Sequence, residues 1–188
     1  MHSTSRVEVK QLGDLRYVYT PGVARVSRAI AKEPGLAWDL TMIGNSVAIC
    51  TNGSRVLGLG DIGPIASLPV MEGKAVLYDA FVGLSATPIL VDTKDPKEFV
   101  DTVVRISKGF GAIHLEDIAI PQCFEIEDAL KARLDKPVMH DDQHGTATAA
   151  LAAIINACRL HGIDLKKAKM GQIGCRFRCG SALPRRLA

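Results

Sequence analysis

From about residue 44 onward, short apolar runs rich in β-branched residues alternate with longer segments of helical periodicity. The short runs predict strands and the longer segments predict helices. The predicted strands are 46–50, 87–91, 111–115, 137–140 and 169–173. The predicted helices are 69–81, 95–109, 124–134 and 146–160. Repeated strand–helix units of this kind favour an α/β fold built on a parallel sheet.

Composition and charge exclude several classes of protein. Apolar residues make up 47% of the 188-residue chain, which is typical of a globular domain, and no apolar stretch is long enough to span a membrane. The net charge is +3, but residues 175–188 carry four arginines and no acid, which leaves −1 for residues 1–174. That remainder has no basic stripe with aromatic residues, so nucleic-acid binding is not expected.

The cysteines and the N-terminal residues bear on location. The N-terminal residues lack the apolar core of a secretory signal. An odd number of cysteines, mostly in apolar surroundings, is typical of a reducing compartment, so we expect a cytoplasmic protein. The cysteines are Cys50, Cys123, Cys158, Cys175 and Cys179.

Two pairs of acidic residues follow predicted strands. Glu116 and Asp117 come after the strand 111–115, and Asp141 and Asp142 come after the next. Ligands bind outside the carboxyl ends of parallel strands, and four carboxylates meeting there would repel one another unless a cation compensates them. Oxygen ligands favour Mg²⁺ or Mn²⁺ over zinc. The alternative, that each pair is a solvated loop or a helix N-cap, stays open on pattern alone.

The histidines and the C-terminal cysteines give weaker signals. His140 and His144 are four residues apart, which on a helix would permit zinc binding, but the residues between them do not match a zinc-protease motif. We therefore favour packing or supporting histidines. Cys175 and Cys179 have no partner pair elsewhere, so we do not expect a metal site there.

Three other residues have side chains suited to catalysis or binding. Lys74 lies on a predicted helix; beside a cation its pKa would be lowered and it could act as a base, whereas the alternative is a surface lysine. Arg55 follows an Asn-Gly turn, where a guanidinium could bind a carboxylate. Tyr19 precedes Thr20-Pro21-Gly22 and is either a proton donor or a core aromatic residue.

The glycines of 58–63 lack the strand–loop–helix context of a nucleotide loop and indicate backbone crowding near a site.

Five motifs, in order across residues 17–160, resemble those of the malic enzymes, the bacterial small-subunit type in particular. They are YTPGVA, TNGSRVLGLGDIGP, LPVMEGKAVLY, HLEDI and HDDQHGTA. The resemblance implies oxidative decarboxylation of L-malate to pyruvate and CO₂ with NAD or NADP, Mg²⁺ or Mn²⁺, and a homodimer. It also implies the roles of individual residues. These are Tyr19 as general acid, Lys74 as general base, Arg55 as ligand of the substrate carboxylate, Glu116, Asp117 and Asp142 as metal ligands, and Asp141 as a supporting carboxylate.

The chain departs from the family pattern after Gly174. The family continues with a glycine-rich dinucleotide loop, but Arg176 stands where a glycine is needed for close approach to the pyrophosphate. We therefore expect a substrate- and metal-binding domain at 1–140, the start of a dinucleotide domain at 141–174, and an aberrant basic tail at 175–188. The residues that bind the cofactor are unknown, and the chain alone is expected to be inactive. The alternatives are a non-catalytic metal, dicarboxylate or dimerisation module, and a malolactic enzyme.

Overall fold

The computed structural model describes residues 8–171. Its first part, which we call the N-terminal segment, comprises residues 8–45 and consists of short helices joined by turns. None of these helices has a buried residue. They are α1 (Leu15–Val18), α2 (Val23–Lys32) and α3 (Ala37–Leu40), with single 3-10 turns at Leu12–Asp14, Pro34–Leu36 and Ile43–Asn45.

A four-stranded sheet follows, and its strands are parallel, as the sequence predicts. Its strands are β1 (Ser46–Thr51), β2 (Ser85–Leu90), β3 (Ala112–Leu115) and β4 (Val138–His140). The spatial order is β2-β1-β3-β4. Leu115 pairs with Cys50 of β1 and with His140 of β4, so these three strands reach the same level at their carboxyl ends.

Four long helices connect and flank the strands. They are α4 (Gly63–Val82), α5 (Pro96–Ile106), α6 (Gln122–Arg133) and α7 (Asp141–Leu160). Single 3-10 turns lie at Ser107–Gly109 and Leu165–Lys167. The α/β class is confirmed, but two predicted helix starts are wrong. Helix α4 begins with Pro64 in its first turn and keeps Pro69 in its interior, and α7 begins directly after β4 rather than near residue 146.

The side chains of β1 alternate between two hydrophobic clusters, because successive residues of a strand point to opposite faces. Ile49 packs with Met71 and Ala75 of α4. Ala48 and Cys50 belong to the larger cluster on the other face, which includes residues of α5 and α6. Burial on both faces explains why the strands appear in the sequence as continuous apolar runs.

Other sequence expectations have mixed outcomes. Asp95 caps α5, with its side chain accepting a hydrogen bond from the backbone N–H of Lys97 at 2.8 Å. Residues 169–171 are not in a strand, so that prediction is wrong as far as the structure describes it. The remainder of that strand, the altered loop after Gly174 and the basic tail lie outside the described residues. Within them, no helix combines the length and apolar character needed to cross a membrane.

Candidate active site

The two acidic pairs meet at the carboxyl ends of β3 and β4. Glu116 and Asp117 directly follow β3, while Asp141 and Asp142 form the first turn of α7. Glu116, Asp117 and Asp142, which we call the carboxylate cluster, offer oxygen atoms that all lie within 4.8 Å of one another. Asp141 and Asp142 are thus in neither a loop nor an N-cap, but in a helical turn where the helix dipole favours negative charge.

Asp117 is the most constrained member of the carboxylate cluster. Its φ of +56° lies in the left-handed region, which aspartate tolerates better than most residues. Its backbone N–H donates to Oδ2 of Asp142 at 3.0 Å, and its carbonyl accepts from the N–H of Arg55 at 3.1 Å. Main-chain hydrogen bonds therefore hold this turn against both the loop that carries Arg55 and the start of α7.

The electrostatics of the cluster favour a bound cation. Asp117 is only 3% exposed, and its buried Oδ2 atom has no hydrogen-bond partner among residues 8–171. Burial, together with the charges of Asp142 and Glu116, raises the pKa of Asp117 to about 7. Burial and the charge of Glu116 also raise the pKa of Asp142. Three crowded carboxyl groups, of which Asp117 and Asp142 resist ionisation, form a donor set of the kind that binds a hard divalent cation.

Lys74 lies on α4 and its side chain is turned to this edge of the sheet. Its Nζ atom is 2.8 Å from Oδ2 of Asp141 and 3.3 Å from Oε2 of Glu116, and 22% of its side chain is exposed. The surface-lysine alternative is therefore wrong. Burial lowers the pKa of Lys74, but the hydrogen bond to Asp141 and the charge of Glu116 outweigh it and raise the pKa. These two carboxylates stabilise the ammonium in the metal-free chain, while the lowered pKa expected from the sequence concerns a lysine beside a bound cation and stays a prediction.

A loop after β1 forms one wall of a cavity of about 390 Å³ that also contains the carboxylate cluster. Gly53 begins this loop with a φ of +61°, and its carbonyl accepts hydrogen bonds from the N–H groups of Ile62 and Gly63. Arg55 and two of the glycines in 58–63 line the cavity. Their position on the cavity wall agrees with the sequence prediction that these glycines allow close backbone packing near a site.

Tyr19 is placed differently. It directly follows α1, its residue exposure is 70%, and it is not among the residues that line the cavity. The core-aromatic alternative is wrong at this exposure. The structure thus brings together all the predicted site residues except Tyr19.

The two histidines of the HDDQH motif do not form a zinc site. His140 ends β4, whereas His144 lies on α7 and its Nε2 is 2.8 Å from Oε1 of Glu127. His140 is fully buried, burial lowers its pKa to about 4, and its ring nitrogens make no hydrogen bond within the described part of the chain. Neither residue belongs to a potential metal-binding group among residues 8–171. The Cys175–Cys179 pair lies outside these residues.

Two functional candidates were missed by the sequence analysis. His114 on β3 contacts Oε2 of Glu116 through Nε2, at 2.5 Å, and its Nδ1 is 2.8 Å from the hydroxyl of Tyr78 on α4. His114 precedes Glu116 by two residues, the spacing that places two strand side chains on one face, so the sequence carried a signal for it. Nothing in the spacing of Tyr78 indicates the contact.

Comparisons with known proteins agree with this geometry. The family model for the malic enzyme N-terminal domain matches residues 2–97. The NAD-dependent malic enzyme 1 of Bacillus subtilis is 59% identical over 90% of this chain and 39% of its own length. The bifunctional malic/malolactic enzyme of the same organism is 48% identical over 90% of this chain and 42% of its own.

A solved structure extends the likeness to three dimensions. The crystal structure of the malic enzyme from Pyrococcus horikoshii superposes with a TM-score of 0.87 at 45% identity, over 90% of this chain and 39% of that one. The chain spans about two fifths of the length of these relatives. With a family model that covers half of its residues and relatives this similar, the chain belongs to the malic enzyme family.

Proposed function

We propose that this chain supplies the malate- and metal-binding part of an enzyme that converts L-malate and NAD⁺ or NADP⁺ into pyruvate, CO₂ and the reduced nicotinamide. The observation that carries the proposal is the carboxylate cluster beside Lys74, at a sheet edge with a cavity large enough for a small dicarboxylate. The 59% identical relative, the NAD-dependent malic enzyme 1 of Bacillus subtilis, supports the nicotinamide-dependent reaction.

The residues present fit a divalent cation. Glu116, Asp117 and Asp142 would hold it, because their oxygens converge and Oδ2 of Asp117 has no hydrogen-bond partner in the described part of the chain. When bound, Mg²⁺ or Mn²⁺ would supply Lewis-acid polarisation of the C2 oxygen of the substrate and stabilise negative charge there. Asp141 accepts a hydrogen bond from Lys74 and so supports the lysine rather than the cation.

Each remaining residue has a proposed task that suits its chemistry. Lys74 removes the proton of the C2 hydroxyl; Asp141 and Glu116 raise its pKa in the metal-free chain, and a cation bound beside it would lower that pKa. Arg55, on the cavity wall, binds a substrate carboxylate through its guanidinium. Tyr19 gives a proton to C3 after decarboxylation, although within residues 8–171 it is exposed and does not line the cavity.

Other parts of the proposal rest on the resemblance and the relatives' names. The nicotinamide cofactor would supply a hydride acceptor. The division into domains at 1–140 and 141–174, the homodimer, the cytoplasmic location and the inactivity of the chain alone stay predictions. The three described cysteines are all buried and free, which agrees with a reducing compartment.

Calorimetric titration with L-malate in the presence of Mn²⁺ tests the binding part of the proposal. We expect malate to bind only when Mn²⁺ is present, and Arg55→Gln to weaken malate binding by about tenfold or more while Mn²⁺ affinity stays within twofold. Arg133→Gln is the matched control, since Arg133 lies on α6 and pairs with Asp101. Equal malate binding with and without Mn²⁺, or an unchanged Arg55→Gln variant, would contradict the proposal.

The malolactic alternative is kept because one relative is named a bifunctional malic/malolactic enzyme. The test is a chimera in which residues 8–171 replace the matching part of the Bacillus subtilis NAD-dependent malic enzyme 1. Product analysis then separates the candidates. We expect pyruvate with stoichiometric reduced nicotinamide, whereas lactate as the main product would favour the malolactic reaction. Metal and malate binding without either product would favour the non-catalytic module.

A further inference from the structure

A chain of hydrogen-bonded side chains leads from the partly buried Tyr78 on α4 to the carboxylate cluster. The hydroxyl of Tyr78 lies 2.8 Å from Nδ1 of His114, and Nε2 of His114 lies 2.5 Å from Oε2 of Glu116. His114 is 2% exposed and Glu116 is 6% exposed. The Tyr78 and His114 rings also pack edge to face, with centroids 5.5 Å apart and an interplanar angle of 88°. Both ring nitrogens of His114 are therefore engaged, and its orientation is fixed from both sides.

The direction of the hydrogen bonds follows from the chemistry of the three groups. An ionised Glu116 carboxylate only accepts hydrogen bonds, so Nε2 of His114 carries the proton and donates it. In a neutral imidazole the other nitrogen, Nδ1, is then an acceptor, and the Tyr78 hydroxyl donates to it. Tyr78 thus selects the histidine tautomer that donates to Glu116.

Both known contacts of the Glu116 side chain go to the same oxygen. Oε2 is the atom near Nε2 of His114 and also the atom 3.3 Å from Nζ of Lys74. A glutamate carboxylate rotates easily about its last torsion, which has a broad, two-fold profile. Two donors on Oε2 restrict that rotation, so that Oε2 is directed to His114 and Lys74 while Oε1 takes neither bond.

We propose that Tyr78 and His114 are positioning residues, which orient Glu116 so that one of its oxygens holds Lys74 and the other serves the cation. This inference rests on the proposed metal-binding function and deepens it. Residues that support metal ligands in this way typically change metal affinity by about 10- to 100-fold when removed. If Tyr78 and His114 served only to pack the core, the size and shape of their rings would matter for Mn²⁺ binding but their polar atoms would not.

The test is a Mn²⁺ titration of the 188-residue chain, followed by electron paramagnetic resonance, in which bound Mn²⁺ loses the six-line signal of the free ion. Tyr78→Phe keeps the ring and removes only the hydroxyl, and we expect about 3- to 10-fold weaker Mn²⁺ binding. His114→Leu removes both bonds, and we expect a loss of about 30-fold or more. His114→Gln retains an amide donor for Glu116, and we expect it to recover at least threefold of that loss.

Matched controls separate this inference from simpler explanations. Tyr17→Phe removes the hydroxyl of an exposed tyrosine and is expected to leave Mn²⁺ affinity within twofold. The thermal midpoint without metal reports on packing, and in Tyr78→Phe we expect it to move by less than about 2 °C. If His114→Leu fails to fold, Tyr78→Phe and His114→Gln still decide the question.

The outcomes also distinguish this inference from the proposed function. If Tyr78→Phe binds Mn²⁺ within twofold of wild type while Asp142→Asn loses binding, the positioning role is wrong and the metal site stands. If Asp142→Asn also binds normally, the proposed metal site itself is wrong. A loss of affinity in Tyr78→Phe that is matched by an equal loss in Tyr17→Phe would likewise overturn the positioning role.

Discussion

The sheet edge and the N-terminal segment contribute very differently to the candidate site. At the sheet edge, Glu116 and Asp117 are buried at the end of β3, and Asp142 joins them from the first turn of α7. In the N-terminal segment, α2 buries none of its residues, and Tyr19 is 70% exposed. Both regions carry residues to which the family resemblance gives a role in the same reaction.

The difference between these two regions shows which part of the candidate site the described chain holds in place by itself. Parallel strands with paired registers place the residues that follow them at one edge, so the carboxylate cluster is fixed by the sheet. No such framework directs Tyr19 to the cavity within residues 8–171. Cation binding should therefore depend on the sheet edge and be insensitive to changes in the N-terminal segment.

The largest expected effect comes from Asp117→Asn. Asparagine keeps the shape of the side chain and tolerates a φ of +56°, but it removes a negative charge from the carboxylate cluster. We expect about 100-fold weaker Mn²⁺ binding or worse, measured by calorimetry. Asp128→Asn, an exposed change on α6, is the control and should have no effect. Unchanged binding in Asp117→Asn would show that the cluster is not the cation site.

The same variant also tests the raised pKa of Asp117, through the thermal stability of the metal-free chain. The pKa of Asp117 rises from 3.8 to about 7 on folding, so the folded chain retains a proton that the unfolded chain has lost between these values. The contribution of Asp117 to the stability of the metal-free chain should therefore fall as the pH rises from about 4 to about 7, while the contribution of His140, whose pKa is lowered to about 4, rises over much of the same range. Comparison with Asp117→Asn isolates the Asp117 contribution, and at pH 7.5 the thermal midpoint of Asp117→Asn should exceed that of wild type by about 3 °C or more. A thermal midpoint of Asp117→Asn below that of wild type at pH 7.5 would contradict the inference that burial and neighbouring carboxylates destabilise ionised Asp117.

The pH dependence of Mn²⁺ binding is the next largest effect. Because a cation must displace the proton of Asp117, affinity should fall by up to tenfold per pH unit below about 7 and level off above it. Titrations at several pH values, all at one ionic strength, measure this slope. An affinity that is constant between pH 5 and pH 7 would contradict the raised pKa of Asp117.

A smaller effect of opposite sign is expected for Lys74→Met. The substitution removes a positive charge 3.3 Å from Oε2 of Glu116, so Mn²⁺ affinity should increase by about 3- to 10-fold. The metal-free protein should lose stability, because Glu116 and Asp141 lose the ammonium that neutralises them. Lys97→Met, at an exposed ion pair on α5, is the matched control. Weaker Mn²⁺ binding in Lys74→Met would contradict this prediction and show that the hold of the lysine on Glu116 matters more for the cation than its positive charge.

The smallest effect should come from Tyr19→Phe. Since Tyr19 is exposed and does not line the cavity, both Mn²⁺ affinity and the thermal midpoint of the chain should stay within error of wild type. Calorimetry and a thermal melt measure both. A change in Mn²⁺ affinity above twofold would mean that the N-terminal segment reaches the carboxylate cluster.

Much of the sheet could be predicted from the sequence, because its strands are short apolar runs and the central strand β1 is buried on both faces. Strand β1 was expected at 46–50 and lies at Ser46–Thr51. The convergence of the two acidic pairs followed from their positions after β3 and β4. The helix starts were harder to predict. Asp141 and Asp142 resemble a polar loop in the sequence, whereas in the structure they occupy the first turn of α7, where negative charge is favourable.

The remaining features depend on contacts between distant parts of the chain. Tyr78 meets His114 only because α4 packs against the sheet, and no local pattern records a pairing over 36 residues. The raised pKa of Lys74 likewise comes from Asp141, 67 residues away. The exposure of Tyr19 could not be read from its motif, because a tyrosine before a turn suits a buried and an exposed position equally.

The most direct test of the account compares Mn²⁺ affinity in the wild-type chain and in Asp142→Asn, with Asp128→Asn as the control. Asp142 offers a carboxylate oxygen within 4.8 Å of those of Glu116 and Asp117, so its loss removes one of three expected ligands. We expect about 100-fold weaker Mn²⁺ binding in Asp142→Asn and wild-type Mn²⁺ binding in Asp128→Asn. Equal affinity in all three proteins would contradict the assignment of the sheet edge as the cation site.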